Sequence, residues 1–150
     1  MTTLQRISSV ADILERELKP TIKEWLRQVN LVPELTDTKL SDGDRTGHLP
    51  KLYHDLICRL RLAKDTKPPI SIAAAAHGKV RRAQGYSASM LIEESRVFQV
   101  ATFGTLHRYQ SELDQNQLIL DIMVIADEVD AQLKETVRSL MGKKLAMAVA

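Results

Sequence analysis

The chain has 150 residues, enough for one domain that buries a core without disulfides or a structural metal. Apolar residues make up 44% and charged residues 27%, which excludes an intrinsically disordered chain. A net charge of +2 is too small to argue for a nucleic-acid or anionic-membrane partner.

Aromatic residues are only 4%, so Leu, Ile, Val and Ala must fill the core. Cys58 is the single cysteine, which rules out an internal disulfide and favours a reducing compartment. The start MTTLQRISSVADILEREL has no short apolar core behind a basic segment, so it does not read as a signal peptide. No apolar run approaches the length of a bilayer span, and Ile122 to Ala126 is flanked by Asp121 and Asp127. These features predict a cytoplasmic location and no membrane partner.

Ile7, Val10, Leu14, Leu18, Ile22, Trp25 and Val29 recur by threes and fours, one apolar stripe on a first helix. Ser9 with Asp12 three residues on resembles a capping box. Pro20 lies inside the stripe and predicts a kink or break near Lys19. Residues 30–48 carry Pro33, Gly43 and Gly47 and read as irregular, with a short turn around Thr36 to Leu40. Pro50 suits the first turn of the next helix, whose stripe is Leu49, Leu52, Leu56, Leu60 and Ala63. That helix must end before Pro68-Pro69.

A further helix is predicted from about Ile70 to Gln84, with Gly85 as its stop. Its Ala73 to Ala76 block offers a thin face to a neighbour. Ser87 is placed to cap the following helix, which runs to about Leu113 and carries Leu91, Phe98, Ala101 and Thr105 on one side. The last helix starts near Asn116. Its first half, Leu118 to Ala126, is apolar on most faces and reads as buried on most sides. No strand pattern of useful length occurs. The prediction is an all-α domain over residues 1–150, five to six helices in a globin-like or bundle packing.

Chemistry-bearing residues concentrate in HGKVRRAQGYSASMLIEES, His77 to Ser95. His77 precedes Gly78, with Arg81 one turn on. It reads either as a ligand-sensing or axial histidine on a face opened by alanines, or as a helix-terminal histidine bonded to a carboxylate of the next helix. His107, beside Leu106 on the long helix, is the other histidine that could serve a haem iron. Lys79, Arg81 and Arg82 end one helix and Glu93 and Glu94 open the next, as helix dipoles favour. A bridge from Arg81 or Arg82 to Glu94 follows, and burial with His77 would make it a coupled network. His48 and His54 lack partners at zinc-ligand spacing, so no metal site is predicted. No HExxH, GxSxG or phosphate-binding loop is present, so no catalytic residues are assigned. Cys58 lies one turn past His54. It reads as a reactive pair or, more simply, as a small apolar filler.

His77-Gly78, Arg81, Gln84-Gly85-Tyr86-Ser87, Leu91 and Glu94 together resemble the RsbRD-type N-terminal domain, a helical sensory module of bacterial signalling proteins. Glu24-Trp25 and His48-Leu49-Pro50 are supporting matches. The family often has an arginine where Gln99 stands, so no cation role carries over there. The resemblance implies a non-haem, globin-like input domain without cofactor, preceding an output module such as a histidine kinase. It implies His77, Arg81, Tyr86 and Glu94 as signal-sensing residues, with Gly78, Gly85 and Ser87 forming the turn. The chain has no phosphoacceptor box or ATP-lid glycine motif, so it would be the input module alone. The ending GKKLAMAVA reads as a helix cut mid-course, that is, as a domain excised from a longer protein, a complete small protein being the alternative. The partner is then an output domain in the same chain or a separate signalling protein.

Trp25 on the first helix and Val129, Leu133, Val137 and Leu140 on the last are spaced like a helix–helix seam. They predict a homodimer built on those two helices. The rival reading is a globin-like protein binding haem or another small molecule through His77 or His107.

Overall fold

The computed structural model describes residues 7–143. Eight α-helical segments form among them, more than the five or six expected: α1 (Val10–Arg16), α2 (Leu18–Val29), α3 (Pro33–Thr36), α4 (Asp42–Thr46), α5 (Leu49–Arg61), α6 (Ile72–Ala83), α7 (Ala88–Arg108) and α8 (Gln115–Leu140). A 3-10 turn, Gln110–Glu112, joins the last two. The described residues contain no strand, only an isolated bridge between Ser8 and Leu113. No described helix is long and apolar enough to cross a membrane.

The extra segments have local causes. The first helix divides at Glu17 rather than near Lys19. Pro20 becomes the third residue of α2, where its missing N–H would have no intrahelical partner anyway. Ser9 caps α1 by accepting from the Asp12 N–H at 3.0 Å. The irregular stretch holds two single turns instead of one. Pro33 opens α3, and Ser41 caps α4 by accepting from the Asp44 N–H at 3.1 Å. α5 stops at Arg61, so Ala63 is exposed and leaves the stripe. Ser71 caps α6 through the Ala74 N–H, which moves the predicted start from Ile70 to Ile72.

Between α6 and α7 the chain reverses on Gly85, whose φ is +84°. The Tyr86 N–H donates to the Arg81 carbonyl and the Gly85 N–H to that of Arg82. That pairing is a Schellman stop, and its left-handed position favours glycine. Ser87 then caps α7 by accepting from the Met90 N–H. α8 ends in the same way, with Gly142 at φ +77°. The helix expected to continue through Gly142 and Lys143 therefore stops at Leu140, because Gly142 takes the left-handed turn, and residues 144–150 of that expectation lie outside the described ones.

The core is aliphatic with few rings, as composition demands. Trp25, Tyr53, Ile13, Leu14, Leu35, Leu56, Ile125, Val29 and Val97 are its largest fully buried apolar side chains. Each contributes about 1.5–3 kcal/mol of transfer free energy. The closest helix pair is α6 against α8. Thr136 Oγ1 donates to the Ala74 carbonyl at 3.1 Å, and Ser139 Oγ to that of Ala75 at 2.6 Å. A Cβ on Gly78 would collide with the Thr136 carbonyl oxygen and lie 2.8 Å from Ser139 Cβ. Glycine at 78 therefore sets the helix separation.

Two expectations fail on burial. The first half of α8 is not enclosed: Ile119 is 66%, Leu120 43% and Met123 61% exposed. Among the described residues no element covers that face, and Ile125 is the buried anchor. Conversely, two residues assigned to the dimer seam lie inside one chain. Trp25 is 2% and Val129 3% exposed. Leu133, Val137 and Leu140 are half-buried and pack on the same core.

Candidate functional site

The reversal at Gly85 folds the end of α6 back over the start of α7. Arg81 and Glu94 thereby meet in the interior. Arg81 is fully buried, and its guanidinium grips Glu94 with two parallel bonds, Nε to Oε1 and Nη2 to Oε2, each 3.0 Å. Its remaining protons reach Gln84 Oε1 at 2.7 Å, the Arg45 carbonyl at 2.6 Å and the Asp44 carbonyl at 3.3 Å. The Schellman stop delivers Tyr86 to the same point. Its hydroxyl donates to Glu94 Oε2 at 2.9 Å, and its ring lies 4.7 Å from the Arg81 guanidinium carbon. The predicted bridge is thus made by Arg81, while Arg82 is exposed.

Arg45 is a second buried cation, placed by the single turn α4. It donates to Tyr86 Oη at 3.0 Å and to the carbonyls of Leu35 and Thr38. Nothing periodic marks Arg45 in the sequence, because its stretch reads as loop. Trp25 enters from α2, its indole N–H donating to the Glu94 carbonyl at 3.2 Å. That bond gives Trp25 a place in the site rather than at a dimer seam.

His77 lies one turn before Arg81. Its Nε2 is 3.5 Å from Glu94 Oε1, and its Nδ1 is 3.3 Å from Nδ1 of His48, the N-cap residue of α5. Both imidazole nitrogens of His77 therefore face polar side chains. A cavity of about 40 Å³ adjoins it, bordered by Trp25, Phe98, Gln132 and Thr136. Such a space suits water, not a porphyrin. His107 is exposed near the end of α7. Neither histidine offers an open apolar slot to a haem, so the chain's own residues do not fit that cofactor.

The electrostatics follow from enclosure. Burial would raise the Glu94 carboxyl, but the His77 hydrogen bond and the Arg81 charge outweigh it and hold the group below the ordinary glutamate range. Burial, reinforced by Glu94, pushes the Tyr86 hydroxyl far above its usual range, so it stays a proton donor. Burial also lowers His48, helped by His77, Arg81 and Lys51. The result is a buried network of one carboxylate, two guanidiniums, a phenol and the His77 imidazole, with His48 at its half-buried edge. It holds no activated nucleophile.

His77, Arg81 and Glu94 meet as the sequence reading expected, Tyr86, which only the resemblance had singled out, joins them, and Gly78, Gly85 and Ser87 shape their approach. Cys58 is not a packed filler. It is exposed, with its Sγ 3.5 Å from His54 Nε2. Among the described residues no group of three or more acidic, histidine or cysteine side chains could hold a metal ion. The chain matches no protein-family model, no curated protein and no solved structure.

Proposed function

We propose that this chain is a non-catalytic, RsbRD-type sensory input domain of globin-like packing, acting on an output module of a bacterial signalling protein. The observation that carries the reading is the junction at His77-Gly78. His77 faces Glu94, the carboxylate that Arg81 also holds, inside the buried network. The very next residue, Gly78, lets α8 approach to backbone contact. A change in the network therefore shifts α6, and α6 has no slack against α8. Packed interfaces of this kind switch between discrete arrangements rather than deform smoothly. The signal leaves through α8, the longest helix at 26 residues.

The test is a fusion of the chain, through α8, to a histidine-kinase catalytic core. Glu94→Gln and Gly78→Ala should each change autophosphorylation several-fold while circular dichroism shows a folded domain. Unchanged kinase output from both folded variants would overturn the reading.

The same proposal includes a homodimer, with its seam moved. The apolar face left exposed among the described residues is Ile119, Leu120 and Met123 on α8, not Trp25 or Val129. These three recur at helical spacing, and pairing two copies would bury them symmetrically. A dimer through α8 would present two adjacent output helices.

A further inference from the structure

A groove of about 660 Å³ runs between α5, the connection 62–71 and α6. That is the size of small-molecule pockets. Its apolar lining includes Leu62, Pro68, Pro69, Ile70, Ile72 and Ala76. Proline rings and branched side chains offer flat, rigid surfaces, and the imidazoles of His48 and His54 also line the space.

The polar groups of the groove divide by charge. Its acids are already matched. Asp55 accepts from Ser71 Oγ at 2.6 Å. Glu128 accepts from Gln132 Nε2 at 2.8 Å and from Arg59, which also holds Asp127 at 2.8 Å. The basic groups of the lining that make no hydrogen bond are Lys51 Nζ, His48 Nε2 and His54 Nδ1, and each can meet an anion. An apolar slot edged by one uncommitted ammonium, Lys51, and free imidazole nitrogens selects an apolar anion.

We propose that this groove binds a small aromatic carboxylate, its ring against the proline and isoleucine surfaces and its carboxylate on Lys51 and His48. The binding claim stands on the groove alone; that occupancy is a signal rests on the sensory reading above.

His48 is the physical link between groove and network. Its Nδ1 faces His77 Nδ1 at 3.3 Å, and His77 Nε2 faces Glu94 at 3.5 Å. The charged groups facing His48 are Arg81 and His77 from α6 and Lys51 from its own helix, with Glu94 of α7 behind His77. A carboxylate on His48 Nε2 favours the doubly protonated ring. That ring donates through Nδ1 to His77, whose own proton then sits on Nε2, toward Glu94. Occupancy thus reinforces the arrangement in which the His77 proton sits on Nε2 toward Glu94, by fixing His48 as the donor to His77 Nδ1.

The test is calorimetric titration of the 150-residue chain with three probes. These are 1-naphthoate, the uncharged 1-naphthalenemethanol, and decanoate. Naphthoate should bind, and loss of its charge-assisted bonds in the alcohol should weaken binding by about tenfold or more. Lys51→Ala should weaken naphthoate by about tenfold, and His107→Ala should leave it unchanged. The NMR titration midpoint of His48 should move up on saturation. Equal affinity for the alcohol, no binding of naphthoate at millimolar concentration, or tighter binding of decanoate would each overturn the proposal. Failure to bind leaves the sensory reading standing. Binding that leaves amide exchange in α6 and α8 unchanged upholds the site and sinks its role as a signal.

Discussion

Glu94→Gln is the sharpest perturbation of this protein. The amide keeps the shape of the carboxylate but removes the charge that neutralises Arg81, a guanidinium with no solvent exposure. Breaking a buried ion pair by removing one partner costs about 3–5 kcal/mol. A domain of this size holds only about 5–15 kcal/mol in total, so the loss is a large share. Arg81→Met, which leaves the Glu94 carboxylate only Tyr86 and His77, should cost a similar amount. The double variant should lose much less than the sum, with a coupling of about 2 kcal/mol or more. Urea unfolding followed by far-ultraviolet circular dichroism measures each corner of the cycle. Trp25, the sole tryptophan, reports locally because its indole is bonded to the Glu94 carbonyl. The wild-type protein should also show an acid limb. Glu94 binds its proton more weakly folded than unfolded, so its contribution is full above the ordinary value of 4.5 and fades as pH falls through the lowered folded value. Glu94→Gln should lack that limb. Additivity of the two single variants within about 0.5 kcal/mol would refute the coupled network.

Gly78→Ala should destabilise the domain by about 1–3 kcal/mol, because the new methyl meets the Thr136 backbone rather than a movable side chain; an unchanged melting temperature would mean α8 can retreat freely. Gly85→Ala should cost about 1–2 kcal/mol for its left-handed φ alone, since open space surrounds that position; calorimetry checks it. His48 resists protonation in the folded state, so stability is full above 6.5 and declines as pH falls below it. His48→Asn should flatten that decline in urea midpoints taken between pH 7 and pH 5, roughly the histidine range. Light scattering of Ile119→Lys with Met123→Lys should give a monomer mass where the wild type gives a dimer, and identical masses would remove α8 as the seam.

Short-range chemistry was legible in the sequence. The cap at Ser87, the stop at Gly85 and the opening at Pro50 each depend on residues within a few positions, so they read directly. The union of Arg81 with Glu94 was legible for the same reason, since one tight turn separates their helices. Tertiary structure alone decided the rest. Arg45 and His48 reach the network from a stretch with no periodic signal, and only folding brings them to α6 and α7. Trp25 and Val129 share the spacing of a dimer seam, but spacing says only that a face is apolar, not whether its own chain or another covers it. Ile119, Leu120 and Met123 show the converse. Their run looks like core by composition, yet no element of the described chain lies over them, because the burial of a face depends on what packs across it.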